Sequence, residues 1–353
     1  MNKIKKIFFL NIIILLIFFL FIEFCVRVYL VVKNNNTLSF LKNPPSIKID
    51  KYRNILEYSP VLGFVPKKNI QLKVDLEYWD NSILTINELG FRKGIENNIN
   101  MNDPILIAGD SFVFGNQVND FETWPAFLQK KDYNIFNLGV GGFGTAQSLL
   151  RIKKFIKNNS INPKIVMLQT LVGYDFKRDR LDFYSGFPSI SLYQNKDGNI
   201  DYYCPELSSI DIFGSKFSSQ NTDRKIYITL SEYSYFIRMF FQDEIQNYQK
   251  RLTRVYKKAI SKRKIIDYVL KEFSQLPYKK IFILQYGGDN NKEVIEERKY
   301  LIRKLKELSI PYIDTYNATR VNGVPLKKLY YYHHTPEGNK VIADYIINTK
   351  LLD

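Results

Sequence analysis

Apolar and polar positions fall into blocks along this chain. From Ile7 to Val32 the residues are almost all apolar, and Lys3, Lys5 and Lys6 precede them. At 1.5 Å per residue that run spans roughly 39 Å, more than the ~30 Å hydrocarbon core, so it predicts one tilted transmembrane helix. No small-x-small cleavage site follows, which favours an uncleaved anchor over a removed signal peptide. Glu23 and Arg27 stand four apart on one helical face. They are expected to pair near the exit interface, with a functional intramembrane site as the alternative. The leading lysines favour the N-terminus inside, against Lys33, Lys42, Lys48 and Lys51 on the other side. Residues 1–33 are therefore read as a cytoplasmic stub and anchor in the cytoplasmic (inner) membrane. The larger C-terminal part is placed on the periplasmic or extracytoplasmic side.

Residues 34–54 are polar with Pro44-Pro45 and read as a linker. From residue 55 the pattern changes to short apolar runs separated by 3.6-period stretches. Leu84-Thr-Ile86 alternates. Ile105–Ala108, Ile135–Gly139, Lys164–Gln169, Lys280–Gln285 and Pro311–Asp314 read as strands. Helices are expected to start near Asp120, and over Thr145–Lys157, Asn291–Leu308 and Asn339–Leu351. Thr335 caps the last of these and Pro336 sits at its first position. Strands alternating with helices predict an α/β protein, a three-layer α/β/α sandwich on a mostly parallel sheet. Residues 178–275 break the alternation and read as a partly helical insertion packed over the sheet or the site. Residues 55–353 then form one domain.

Composition narrows the function classes. A chain of 353 residues that is 45% hydrophobic can bury a sizeable core. The net charge of +16 comes from dispersed lysines, with no Arg-rich block or nucleic-acid module. Nucleic acid is therefore not an expected partner, whereas a basic surface suits anionic lipid or glycan. Cys25 lies in the apolar run and Cys204 far from it, so no intramolecular disulfide is expected. The only histidines are the adjacent pair His333 and His334. No metal site and no cofactor is predicted.

The candidate chemistry lies where strands end. Ser111 follows the buried run Ile105–Ala108 in Ile-Leu-Ile-Ala-Gly-Asp-Ser. In open α/β sheets reacting groups collect at that carboxyl end, so Ser111 is a candidate nucleophile, with a turn or cap serine as the plainer reading. The loop Gly139-Val-Gly-Gly-Phe-Gly144 follows the next strand, and His333 precedes the last helix. A serine needs a base within reach, and a tetrahedral intermediate needs backbone N–H donors from a tight loop. Nucleophile, glycine loop and late histidine form a coherent hydrolase order.

Four blocks resemble the SGNH/GDSL hydrolases, in particular membrane-anchored bacterial members. They are Asn87-Glu-Leu-Gly-Phe-Arg92, Leu106–Gly115, Asn137–Gln147 and His333-His-Thr-Pro-Glu-Gly-Asn339. The resemblance covers about residues 55–177 and 278–350. It implies a flavodoxin-like fold, with Ser111 as nucleophile. It also implies oxyanion donors at Ser111 and Gly142, and a late histidine as general base. The family spacing selects His333, with His334 second; a helix-start role without chemistry is the alternative for either. Two positions depart from the family pattern. Tyr174 stands where the family has the oxyanion-hole asparagine, and its hydroxyl is a longer substitute donor. Tyr330 or Tyr331 stands where the family has the aspartate that orients the histidine. Asp314, at the end of a strand, is a substitute orienter or, more simply, a structural cap. The resemblance and the anchor together predict a serine esterase, deacylase or O-acyltransferase. Its partners would be the lipid bilayer through residues 7–32 and an acylated cell-envelope glycan or small ester. The competing prediction is a degenerate member that binds glycan as an assembly partner. Oligomeric state has no signature in the sequence.

Overall fold

The computed structural model describes residues 3–34, 55–74, 82–95, 100–184, 187–205, 230, 233–241, 260–288, 290–321 and 326–353. The linker expected at 35–54 lies outside these residues, as do large parts of the stretch expected to be an insertion. The chain divides into two compact units, residues 1–50 with 210–252 and residues 51–209 with 253–353.

The larger unit is built on five parallel strands: β1 (Ile105–Ala108), β2 (Ile135–Asn137), β3 (Ile165–Leu171), β4 (Lys279–Gln285) and β5 (Tyr312–Asp314). Their order across the sheet is β5-β4-β3-β1-β2. This is the doubly wound order with its switch point between β1 and β3. Every residue of β1 and β3 is buried, which is why the sequence shows them as unbroken apolar runs rather than alternating ones.

Alternate side chains of each strand enter two different cores, as the two-residue strand period requires. Leu106, Ala108, Val166, Leu168, Phe282 and Leu284 face one layer, formed by helices Thr145–Asn159, Lys262–Ser274 and Lys292–Glu307. Ile105, Ile107, Ile165, Met167, Ile281 and Ile283 face the other, formed by helices Trp124–Gln129, Thr315–Val321 and Pro336–Asn348. The closing helix starts at Pro336, as the sequence pattern predicts, and Thr335 caps it by accepting the Gly338 N–H at 3.1 Å. Two short antiparallel hairpins, Leu56–Ser59 with Gly63–Pro66 and Ile70–Val74 with Ser82–Ile86, precede the sheet.

The stretch read as an insertion, 178–275, contributes directly to the sandwich. Its final helix, Lys262–Ser274, buries Ile265, Ile266, Val269, Leu270 and Phe273 in the first core. Before it come two hairpins, Phe183–Tyr184 with Phe187–Pro188 and Ser191–Gln194 with Ile200–Tyr203.

In the smaller unit, the helix Lys3–Asn34 contains a stretch, Lys6–Val32, long and apolar enough to cross a membrane. A six-residue helix, Tyr235–Phe240, packs against it through Phe19 and Phe236, whose ring centroids are 5.6 Å apart. Glu23 and Arg27 pair on the long helix at 2.8 Å.

Candidate active site

β1 ends in Gly109-Asp110-Ser111. A side chain at Gly109 would place its Cβ 2.0 Å from Gln169 Oε1, so only glycine lets the chain turn here. Gln169 Oε1 accepts the Asp110 N–H at 3.1 Å and fixes the exit from the strand. Asp110 caps the short helix Ser111–Phe114, accepting the Phe112 N–H at 3.0 Å. Ser111 is thereby set at the carboxyl end of β1, beside the switch point.

The structure places His333 on Ser111. His333 Nε2 lies 2.9 Å from Ser111 Oγ. The other ring nitrogen, Nδ1, lies 2.9 Å from Gln117 Oε1. A carbonyl oxygen only accepts, so Nδ1 carries the proton and Nε2 presents its lone pair to the serine hydroxyl. Burial pushes the His333 imidazolium down to about 4, against the pull of the Asp110 charge. The ring is therefore neutral at pH 7 and free to take a proton.

His334 occupies a different environment. It is buried, its Nε2 lies 3.0 Å from the Gln285 amide, and burial lowers it to about 3. Its ring packs edge-on against Phe112 and Tyr330. Tyr330 donates its hydroxyl to the Tyr286 carbonyl at 3.1 Å, away from His333. Tyr331 pairs with His333 only through the backbone of a two-residue hairpin, and its side chain is exposed. Asp314 is an ion-pair partner of Arg298. Neither tyrosine hydroxyl at the family's aspartate position, nor Asp314, takes the orienting place. Gln117 takes it.

Sequence reasoning missed Gln117 because nothing local marks it. Its contact is with a residue 216 positions away. Its backbone has φ +74°, a left-handed conformation uncommon outside glycine. The loop that holds it is clamped by Arg92, the last residue of the Asn87–Arg92 block. Arg92 is 1% exposed and donates to the carbonyls of Phe114, Gly115 and Val118 while pairing with Asp120 at 3.1 Å. An arginine following an Asn-Glu-Leu-Gly-Phe turn and an amide two residues past Gly115 were the available signals.

The glycine loop runs alongside. Val140 N–H donates to the Gly109 carbonyl at 3.0 Å, and Asn137 Nδ2 donates to the Val113 carbonyl at 2.8 Å. Gly142 has φ +87°, and a Cβ there would lie 2.5 Å from the Tyr184 ring. Among the described residues neither the Ser111 N–H nor the Gly142 N–H donates to a protein acceptor. Unspent backbone donors at buried positions are what an oxyanion needs. Tyr174 is a surface residue, with Lys177 lying 5.8 Å over its ring.

Arg178 ties the site together. Its Nη1 donates to Asp110 Oδ2 at 3.1 Å, Asp175 Oδ1 at 2.6 Å and the Phe143 carbonyl at 3.3 Å. Asp110 Oδ2 is in turn 3.4 Å from Ser111 Oγ. Burial opposes the guanidinium charge, but Tyr184, Asp175 and Asp110 outweigh it and raise the group. Burial and the Asp110 charge push the Asp175 carboxyl up, against Arg178 and the Leu171 N–H. Asp179, which caps the helix Thr145–Asn159 by accepting the Ala146 N–H, is pushed up to about 7 by burial. No group of three or more metal-ligating side chains occurs among the described residues.

No protein-family model matches the chain, and no curated protein does. Solved structures do match. The solved chains it resembles include a GDSL-family lipolytic protein and several esterases. One, of the G-D-S-L lipolytic family from Desulfitobacterium hafniense, has 15% identity and a TM-score of 0.38 over 70% of this chain and 99% of that one. A psychrotrophic esterase from a Pseudoalteromonas species has 9% identity and a TM-score of 0.38 over 70% and 97%. An acetylxylan esterase from Geobacillus stearothermophilus has 11% identity and a TM-score of 0.37 over 70% and 93%. Likeness at this level carries no argument about chemistry, which rests on Ser111, His333 and their partners.

Proposed function

We propose that the chain is an SGNH/GDSL-type serine hydrolase acting on ester-linked acyl groups. The observation that carries this is the Ser111 Oγ to His333 Nε2 contact at 2.9 Å, with Nδ1 of the same ring held by Gln117. His333 accepts the hydroxyl proton as Ser111 Oγ attacks the ester carbonyl. The resulting oxyanion is received by the N–H groups of Ser111 and Gly142. Collapse expels the alcohol, which takes the proton from His333 Nε2, and leaves an acyl-serine. His333 then deprotonates a water, or a sugar hydroxyl if the acyl group is transferred, and a second collapse restores Ser111. Gln117 accepts from Nδ1–H throughout and steadies the imidazolium as a neutral dipole rather than as a charge. Tyr174 makes no third oxyanion donor in this scheme.

The helix Lys3–Asn34 anchors the enzyme in a membrane, with the larger unit, residues 51–209 and 253–353, as the hydrolase domain outside the cytoplasm. An anchored esterase with a basic chain suits acyl groups on an envelope glycan. The reading of a non-catalytic glycan-binding member drew on two missing family residues, and Gln117 supplies what one of them did.

The full chain in detergent, given p-nitrophenyl acetate and a fluorophosphonate probe, is expected to turn over the ester and to label. Ser111→Ala should abolish labelling and lower turnover to the background rate. Equal labelling of the two proteins, or none of either, would sink the serine mechanism.

A further inference from the structure

The short helix Tyr235–Phe240 packs on a helix long enough to span a bilayer, and it does so inside the span. Phe19 stands 13 residues before Val32, the end of the apolar stretch, roughly 20 Å along the axis, and Glu23 stands nine residues before it, roughly 14 Å. Phe236 packs edge-on against Phe19. Anything seated on Phe19 therefore lies at hydrocarbon depth when that helix crosses a ~30 Å core.

The polar groups at this junction satisfy one another. Glu23 Oε2 accepts from Ser234 Oγ at 2.7 Å and from the Phe236 N–H at 3.0 Å. Glu23 Oε1 accepts from Arg27 Nε at 2.8 Å and from the Tyr235 N–H at 3.2 Å. Arg27 also donates to the Tyr233 carbonyl at 3.2 Å and lies 5.2 Å over the Tyr235 ring. A carboxylate with four donors and an arginine with carboxylate, carbonyl and ring partners is the arrangement hydrocarbon demands of buried charge. The outward faces are the opposite: Met239 is 57% exposed and Phe240 70%. In water that is an unshielded apolar patch; beside a membrane span it meets acyl chains.

We infer that residues 233–241 are a re-entrant wedge, inserted into the lipid bilayer beside the anchor and latched to it by Glu23 and Arg27. The inference rests on the reading of Lys6–Val32 as a membrane span. It assigns the Glu23–Arg27 couple a task beyond self-neutralisation: it holds a distant part of the chain in the membrane.

Single cysteines carrying an NBD fluorophore test it in the full chain in phosphatidylcholine/phosphatidylglycerol nanodiscs, with Cys25→Ser and Cys204→Ser as background. The labelled sites are Phe240→Cys in the wedge, Phe18→Cys in the span and Lys292→Cys on an exposed helix. With acyl-chain doxyl lipid the Phe240 and Phe18 probes are expected to be quenched together, and the Lys292 probe to stay bright. Glu23→Ala is expected to free the Phe240 probe from quenching and leave the Phe18 probe quenched. A Phe240 probe as bright as Lys292 beside a quenched Phe18 overturns the wedge and keeps the anchor. Bright probes at both positions overturn the anchor and the wedge together. Quenching at Phe240 that Glu23→Ala leaves unchanged removes the latch.

Discussion

His333, the base of the proposed mechanism, is held by a neutral amide, and that has kinetic signatures. A base works only when unprotonated, so kcat/KM falls as the pH drops through the His333 pKa. With burial holding that value at about 4, the acid limb of the pH profile is expected near pH 4 rather than near 6.5, with a plateau through neutral pH. Gln117→Glu would put a carboxylate on Nδ1 and raise the imidazolium pKa, moving the limb up by roughly one to three pH units. Activity at pH 8 should survive that change. Gln117→Ala removes the acceptor and should lower kcat by roughly a hundredfold with little change in KM. An acid limb that stays put in Gln117→Glu would mean that Gln117 does not govern the ring. Ser111, Gly142 and His333 could be read as candidates in the sequence because each lies in a local pattern: a strand–turn serine, a glycine loop, a capped helix start. Gln117 was not, since its role arises from a left-handed loop residue meeting a ring from the far end of the chain. For Asp314 the converse holds. A carboxylate at a strand end reads alike whether it orients a histidine or pairs with Arg298.

Elements were more legible than contacts. All five sheet strands could be read as apolar runs, because a strand buried on both faces carries no polar alternation to obscure it. Where the pattern misled was 178–275. Two hairpins interrupt the crossover from β3 to β4, so the amphipathic helix that completes the crossover reads as part of an excursion. The apolar stripe Ile265, Ile266, Val269, Leu270 and Phe273 assigns it to the sandwich. The block Asn87–Arg92 acts at this scale too. By donating to the Ile83 carbonyl at 3.4 Å as well as to three loop carbonyls and Asp120, Arg92 joins the hairpin Ile70–Val74/Ser82–Ile86 to the loop that bears Gln117. Arg92→Ala would leave Asp120 without its cation and those carbonyls without a donor. A loss of about 3–5 kcal/mol in urea unfolding is expected. A variant as stable as wild type would show that the clamp is dispensable. A backbone constraint of similar strictness sits at Gly139, where a Cβ would fall 2.4 Å from the Phe114 backbone nitrogen. Gly139→Ala should cost about 1–3 kcal/mol and displace the glycine loop. A matched loss of kcat and of melting temperature is the expected outcome, and an unchanged melting temperature counts against it.

For the molecule as a whole, the proposed anchor would decide where chemistry is done. Full-length protein is expected to stay with membranes through a carbonate wash, whereas a chain lacking residues 1–33 should be released if that helix alone tethers it; retention of the truncated form would indicate a second point of attachment, such as residues 233–241. The site itself has a temporal consequence. Ser111 and His333 are 222 residues apart, so the nucleophile is synthesised long before its base. At 5–20 residues per second the interval is roughly 10–45 s. Throughout it the serine hydroxyl lacks the imidazole that the proposed mechanism needs as its base. In the proposed mechanism acyl chemistry begins only when the segment bearing His333 docks, which makes that docking the event that arms the site.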